Sequence, residues 1–264
     1  MSAAEDFARD GAVCLRGLLD AATIEDLRAG VDANLAVPSP RAKVASRPED
    51  PGLFIEDFCT WADNPAYRRV IFDSPLAAVA AELTGAVQVR LYHDHMLTKE
   101  GGTTTPTPWH QDQPYYNIEG RQTVSFWIPV DPVDQASSLR LLTGSHLGPW
   151  RMPRTFMDAQ AKWFPEGSLA ELPDIEANPE AWPILSWALE PGDVVAFHML
   201  TLHASRGSSR RRRVFSARFI GDDVVHAPRA WTTSPEFPGL DAELPAGAPM
   251  EHPLFPIVWP RTER

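Results

Sequence analysis

The sequence predicts an α+β fold, mainly β, with N-terminal helices flanking a jelly-roll core. Helical apolar periodicity is confined to the region before residue 84, and strand-like runs dominate from 87 to 221. Helices first and strands afterwards is the element order of an α+β arrangement around a jelly roll. The chain also has the material for it, because 264 residues with 44% hydrophobic content suffice for one sizeable core.

Asp20 is placed to cap a helix over 21–35, where Ile24, Leu27, Val31 and Leu35 form one apolar stripe suited to core packing. A Pro- and charge-rich loop follows over 37–51. Two shorter helices, 66–72 and 75–83, meet at Ser74-Pro75, where proline suits a first helical turn; Val70, Leu76, Val79 and Leu83 are their apolar residues. Strands are then predicted over 87–98, 110–116, 123–129, 138–142, 193–202 and 214–221. The pattern is interrupted at about 150–187 by an aromatic- and Pro-rich insertion containing Trp150, Phe156, Trp163, Phe164, Trp182 and Trp187. An insertion of that kind is either a packed flap or a lid that excludes water and selects substrate. From 227 the Pro-rich tail reads as extended wrapping chain, so 1–264 is expected to be one domain.

Composition excludes several classes. A formal charge of −11 disfavours nucleic acid and anionic membranes, whose binding rests on clustered Lys and Arg. The run Arg210 to Arg213 is the local exception. No apolar run approaches the roughly 18 residues of a membrane span. Met1-Ser2-Ala3-Ala4-Glu5-Asp6 lacks the basic start and apolar stretch of a secretory signal, making cytoplasmic residence the expectation. Cys14 and Cys59 are isolated, which argues against a disulfide scaffold or a zinc-thiolate site.

The chemistry concentrates in two segments, Trp109-His110-Gln111-Asp112-Gln113 and, far downstream, Leu202-His203-Ala204-Ser205. On a strand, His110 and Asp112 would point to one side, so both could reach one metal, with His203 as third ligand. Two neutral imidazoles and a carboxylate suit Fe(II) and leave three adjacent coordination positions open. The strand that follows, Val214-Phe215-Ser216-Ala217-Arg218-Phe219, is entered through the four arginines. A guanidinium near the metal is what a dicarboxylate cosubstrate needs, through two parallel hydrogen bonds.

The other histidines compete for these roles. His198, five residues before His203, is the rival ligand, although a regular strand turns it to the opposite face. His93 and His95 alternate on a predicted strand as a decoy metal pair and read better as pocket lining or orienting groups. His146 is expected to stabilise its own turn, and His226 and His252 to be solvated. Gln111, Gln113 and Tyr116, around the ligands, are the candidate substrate contacts for a small organic molecule bearing polar groups.

Taken together, these segments resemble the phytanoyl-CoA dioxygenase family of Fe(II)- and 2-oxoglutarate-dependent oxygenases. The likeness runs from Asp10-Gly11-Ala12-Val13 through Arg16-Gly17-Leu18-Leu19 to Phe219. It is most specific from Met96 to His146, where Lys99, Pro108-Trp109-His110-Gln111-Asp112-Gln113, Val124-Ser125-Phe126-Trp127-Ile128 and Ser138-Leu139-Arg140-Leu141-Leu142-Thr143-Gly144-Ser145-His146 follow one another. The resemblance implies a double-stranded β-helix, iron held by His110, Asp112 and His203, and 2-oxoglutarate bound by Arg212. It places Ser205 and Trp127 along the cosubstrate site and Lys99 as a further cosubstrate contact. Between His203 and Arg212 the chain is about two residues shorter than the family pattern. Arg212 is chosen by register, since it shares a strand face with Val214, Ser216 and Arg218 while Arg211 and Arg213 share the other.

The implied reaction couples decarboxylation of 2-oxoglutarate by O2, giving succinate and CO2, to oxidation of a substrate C–H bond. Halogenating relatives lack the carboxylate ligand, so Asp112 favours hydroxylation or a related oxidation. Two rivals stand beside it. A cupin-like metal enzyme would keep the triad without using 2-oxoglutarate, and a non-catalytic jelly-roll binding module would keep the strands without the metal.

Overall fold

The computed structural model describes residues 2–152 and 169–260. The N-terminal part comprises α1 (Ala3–Asp10), β1 (Ala12–Leu15), α2 (Ala21–Ala36), β2 (Lys43–Val44), β3 (Phe54–Phe58), α3 (Pro65–Phe72) and α4 (Leu76–Thr84). Strands β4 (Val89–Lys99), β5 (Thr107–His110), β6 (Ile118–Glu119), β7 (Thr123–Pro129), β8 (Leu139–Leu142) and β9 (Ile184–Leu185) follow. The chain continues through β10 (Val194–Phe197), β11 (His203–Ser205), β12 (Arg212–Ile220), β13 (Val225–His226), α5 (Leu240–Glu243) and β14 (Ile257–Trp259). Among the described residues, no helix is long and apolar enough to cross a membrane.

The strands form two principal antiparallel sheets. The larger has the order β1-β10-β7-β12-β4-β3-β2, with β14 also paired to β4, and the smaller has the order β5-β11-β8-β9. Apart from β4-β3-β2 and β8-β9, neighbours in these orders are distant in sequence, which is the mark of a jelly roll. Trp127, Val195, Phe197 and Val214 of the larger sheet meet Leu139 and Leu141 of the smaller in an apolar layer. The other face of the larger sheet carries Phe126, Ile128, Phe215 and Phe219, packed with Leu27, Tyr67, Ile71 and Leu76 of α2, α3 and α4. Burial on both faces explains why β7 reads as a near-continuous apolar run.

The helices follow their capping chemistry. Asp20 accepts from the Thr23 amide at 2.8 Å at the start of α2, as its position predicts. Helix α1, which periodicity did not reveal, begins with a reciprocal Ser2–Glu5 capping box and buries Phe7. It stops at Gly11, whose φ of 77° and whose place 2.4 Å from His146 Nδ1, measured from where a Cβ would sit, both require glycine.

Three predicted elements are corrected. The strand expected over 110–116 ends at His110, and a 3-10 turn over Gln113–Tyr115 follows. The strand expected over 193–202 breaks after Phe197, because the chain leaves the larger sheet there and enters the smaller one as β11. The tail is not merely extended: Leu240, Leu244, Met250 and Phe255 pack with Tyr92, Tyr116 and Ile118. In the insertion, Ile175, Leu172, Trp182 and Ile184 pack with Trp109, Leu142 and Leu202, against the strands that carry His110 and His203. Phe156, Trp163 and Phe164 lie outside the described residues.

Candidate active site

His110 closes β5 and His203 opens β11, and the two are direct cross-strand partners. Their rings are 4.1 Å apart between centroids. His110 Nδ1 lies 2.8 Å from the Pro108 carbonyl and His203 Nδ1 lies 2.9 Å from the Thr201 carbonyl. Each Nδ1–H therefore donates to backbone, which fixes the tautomer and leaves the Nε2 lone pair facing inward. Asp112 Oδ1 is 3.6 Å from both Nε2 atoms. Metal bonds of about 2.1 Å from each partner span gaps of that size. Among the described residues, His110, Asp112 and His203 are the group of His, Cys, Asp or Glu that could hold one ion.

Asp112 reaches this position from a turn and not from a pleated strand. Its φ of −73° and ψ of −47° are helical, and its amide donates to the Met199 carbonyl at 2.8 Å. The i, i+2 pleat invoked from the sequence is thus replaced by a turn that folds the carboxylate back toward the two rings. Burial alone would raise the Asp112 carboxyl, but the Arg218 guanidinium and the two imidazoles hold it well below the usual carboxylate range. Burial, reinforced by His110, pushes His203 down to about 3, so its Nε2 is unprotonated at neutral pH.

The triad lines a cavity of about 390 Å³ together with Trp127, Ser205 and Arg212. Arg212 is buried, donates through Nη2 to Ser205 Oγ at 3.4 Å and through Nη1 to the Ser137 carbonyl, and stacks 5.5 Å from the Trp127 ring centroid. Its cross-strand partner is Lys99. Lys99 Nζ donates to the Thr105 carbonyl at 2.8 Å and the Arg206 carbonyl at 3.1 Å and stands 3.4 Å from Ser205 Oγ, but it is fully buried behind that hydroxyl and does not line the cavity. Burial, and then the Arg212 charge, push Lys99 down to about 6. Arg213 lies on the opposite strand face, paired with Asp131 at 2.6 Å and Asp32 at 2.7 Å, and Arg211 is exposed beside Glu100. Of the four consecutive arginines, Arg212 is the one that lines the cavity with the triad.

Two of the three proposed substrate contacts are corrected. Gln111 donates to the Leu200 carbonyl at 2.8 Å and accepts from the Arg151 amide at 2.6 Å, so its amide group braces backbone. Gln113 donates to the Gly120 carbonyl at 3.0 Å. Neither lines the cavity, whereas Tyr116 does, with Tyr115, Phe58, His95 and Glu56. Arg218, Ser125 and Glu56 were missed. Arg218 was within reach of the sequence, since it shares the Arg212 strand face by simple alternation; Ser125 and Glu56 carried no local signal.

The remaining histidines fall into place by their bonds. His198 sits at the break after β10, with Nε2 2.8 Å from the Arg121 carbonyl and its ring against Phe7 and His146, away from the triad. His93 is buried behind Tyr116, and His95 stacks on Phe58 with Nε2 3.3 Å from Glu56. His146 does not brace its own turn: it is buried, with Nε2 3.2 Å from the Ala8 carbonyl of α1. His226 is not solvated but fully buried, 2.7 Å from the Leu244 carbonyl, and His252 is largely covered beside Glu243.

A jelly roll with two histidines and an aspartate converging on an internal cavity defines a non-haem metal enzyme scaffold. The chain belongs to the phytanoyl-CoA dioxygenase family: the family model Phytanoyl-CoA dioxygenase (PhyH) matches residues 7–214. It is similar to the epimerase SnoN in complex with Fe3+, alpha ketoglutarate and nogalamycin RO, at 21% identity and TM-score 0.77, over 97% of each chain. It is also similar to the non-heme alpha ketoglutarate dependent carbocyclase SnoK from nogalamycin biosynthesis, at 22% identity and TM-score 0.72, over 97% of this chain and 94% of that one. EctD from S. alaskensis with 2-oxoglutarate and 5-hydroxyectoine aligns at 21% identity and TM-score 0.67, over 94% of this chain and 85% of that one. No curated protein matches the chain.

Proposed function

We propose that this chain is an Fe(II)- and 2-oxoglutarate-dependent dioxygenase. It hydroxylates or otherwise oxidises an unactivated C–H bond of a small organic substrate, releasing succinate and CO2. The observation that carries this reading is the convergence on one cavity of the His110–Asp112–His203 triad and a buried arginine, Arg212, beside Ser205 and Trp127. The donor set fits ferrous iron, with two imidazole nitrogens already unprotonated by tautomer and one ionised carboxylate. Iron, bound with 2-oxoglutarate and dioxygen, supplies the oxidation of the C–H bond.

The chain's own residues do the positioning. His110, Asp112 and His203 would hold the ion at the wall of the cavity that all three line. Arg212 pairs with the far carboxylate of 2-oxoglutarate through its planar fork, and the Trp127 ring keeps the guanidinium flat against the wall. Ser205 donates to that same carboxylate, and Lys99, on the far side of the Ser205 hydroxyl, adds positive charge once protonated. Phe58, Tyr115, Tyr116 and His95 wall the space left for substrate. The epimerase SnoN, the carbocyclase SnoK and EctD, whose structure holds 2-oxoglutarate and 5-hydroxyectoine, share this fold. Which atom of the substrate faces the metal therefore decides the product, and hydroxylation is the outcome we assign.

The test is an anaerobic titration of purified apoprotein with Fe(II) and then 2-oxoglutarate, following the visible charge-transfer band of the chelate, with His110→Ala as control. The reading expects a band in the wild type that the control lacks. Iron binding without the band would favour a cupin-like enzyme that does not use 2-oxoglutarate, and absence of iron binding would favour a non-catalytic module.

A further inference from the structure

We propose that Arg218, assisted by Ser125, is a positioning residue of the metal centre: it engages the outer oxygen of Asp112 so that the carboxylate meets the ion through Oδ1 alone. The inference rests on the function proposed above. The two oxygens of Asp112 have different surroundings. Oδ1 faces the histidines, 3.6 Å from each Nε2. Oδ2 is turned away from them, accepts from Ser125 Oγ at 3.0 Å and lies 3.4 Å from Arg218 Nη2.

The guanidinium is itself held in place. Arg218 lies on β12 between His93 of β4 and Ser125 of β7, its cross-strand partners on either side. Its Nε donates to the Tyr116 hydroxyl at 2.8 Å, and only 5% of the residue is exposed. Asp112 is the carboxylate within ion-pair distance of it among the described residues. A buried guanidinium without a partner carries a large desolvation cost, so Arg218 and Asp112 each stabilise the other's charge where it stands.

The consequence lies in counting coordination positions. A two-histidine, one-carboxylate centre offers three adjacent positions only while the carboxylate uses one oxygen. A chelating 2-oxo acid would need two of them and leave one for the oxidant. Were Asp112 to turn its second oxygen onto the ion, one of those positions would be lost. An oxygen already engaged by a cation and a hydroxyl is a poor metal donor, so Arg218 and Ser125 keep that position open. Removal of this restraint should spare the metal and harm the chelate.

The experiment compares wild type, Arg218→Met, Arg218→Lys and Ser125→Ala as purified full-length proteins. It measures Fe(II) affinity and then 2-oxoglutarate affinity anaerobically, with circular dichroism to confirm folding. Arg218→Met should keep Fe(II) affinity within about tenfold while 2-oxoglutarate affinity falls by about tenfold or more, with a shifted charge-transfer band. Arg218→Lys should recover part of that loss. Ser125→Ala, which leaves the buried arginine in place, should show a smaller loss in the same direction and serves if Arg218→Met does not fold. Wild-type band position and 2-oxoglutarate affinity in a folded Arg218→Met, or in Ser125→Ala where Arg218→Met does not fold, would overturn the proposal. A wild type that itself binds no iron or forms no chelate would instead overturn the function it rests on.

Discussion

Binding of 2-oxoglutarate should draw a proton onto Lys99. Nζ of Lys99 and Nη2 of Arg212 both stand 3.4 Å from Ser205 Oγ, so a carboxylate bonded to Arg212 and that hydroxyl brings its charge close to the buried amine. In the ligand-free protein, burial and the Arg212 charge push Lys99 down from 10.5 to about 6, leaving it largely neutral at physiological pH. A dicarboxylate brings negative charge to the same place and returns Lys99 toward its ordinary range. The complex then holds a proton that the free protein lacks. Affinity should accordingly be highest below about pH 6 and fall as pH rises, by up to about tenfold per unit while the free form is neutral and the bound form charged. Calorimetry on the anaerobic Fe(II)-loaded protein, in two buffers of different ionisation enthalpy near neutral pH, should report an uptake approaching about one proton per site. Lys99→Met should abolish both the uptake and the pH slope, while keeping Fe(II) binding. Equal uptake in wild type and Lys99→Met, or none in wild type, would refute the coupling.

Further outcomes follow from the same geometry. His203→Ala and Asp112→Ala should lose Fe(II) binding, whereas His198→Ala should retain it and lower the melting temperature, since its ring packs on Phe7 and bonds the Arg121 carbonyl; iron loss in the His198 variant alone would reverse the ligand assignment. Arg212→Met should raise the 2-oxoglutarate Kd by roughly a hundredfold, the equivalent of about 3 kcal/mol for a charge-assisted pair, without changing iron affinity in a metal titration. Arg213→Ala should leave cosubstrate binding intact and cost about 1–2 kcal/mol in chemical denaturation, because its partners are Asp131 and Asp32 on the helical side of the sheet. Gln111→Ala should destabilise by about 1–3 kcal/mol through the backbone groups it leaves unbonded, with no change in substrate preference among accepted compounds.

The fold class was legible because its signals are local. The α2 stripe, its Asp20 cap, the apolar run of β7 and the alternation of β12 each depend on residues close in sequence. The candidate ligands were legible for a different reason: a metal site demands donor types that few other roles require, so His110, Asp112 and His203 stood out, although Asp112 joins the two histidines from a turn and not from the pleat first invoked. Asp112 leaves the strand, and the turn that returns its carboxylate is fixed by an amide bond to Met199, across the chain, which no local pattern encodes. The substrate side failed on the same ground. Gln111 and Gln113 flank the ligands in sequence, but their amides are taken by backbone groups whose nearness is a tertiary fact, while the true wall brings Glu56 and Phe58 from β3, a strand that had no visible signature.

Strand β12 shows how far simple alternation carries the assignment. Its Arg212, Val214, Ser216 and Arg218 share one face and its Arg213, Phe215, Ala217 and Phe219 the other, and the burial of both faces makes a slip of one residue prohibitive. A slip would carry the Arg212 guanidinium to the helical side of the sheet and would pull Phe215 from its packing against Tyr67, 4.3 Å away, toward the cavity. Register is therefore enforced by the apolar residues. The same enforcement places two buried arginines, six positions apart, along one cavity: Arg212 beside Ser205 and Trp127, where the proposed function puts a cosubstrate carboxylate, and Arg218 beside the Asp112 carboxylate.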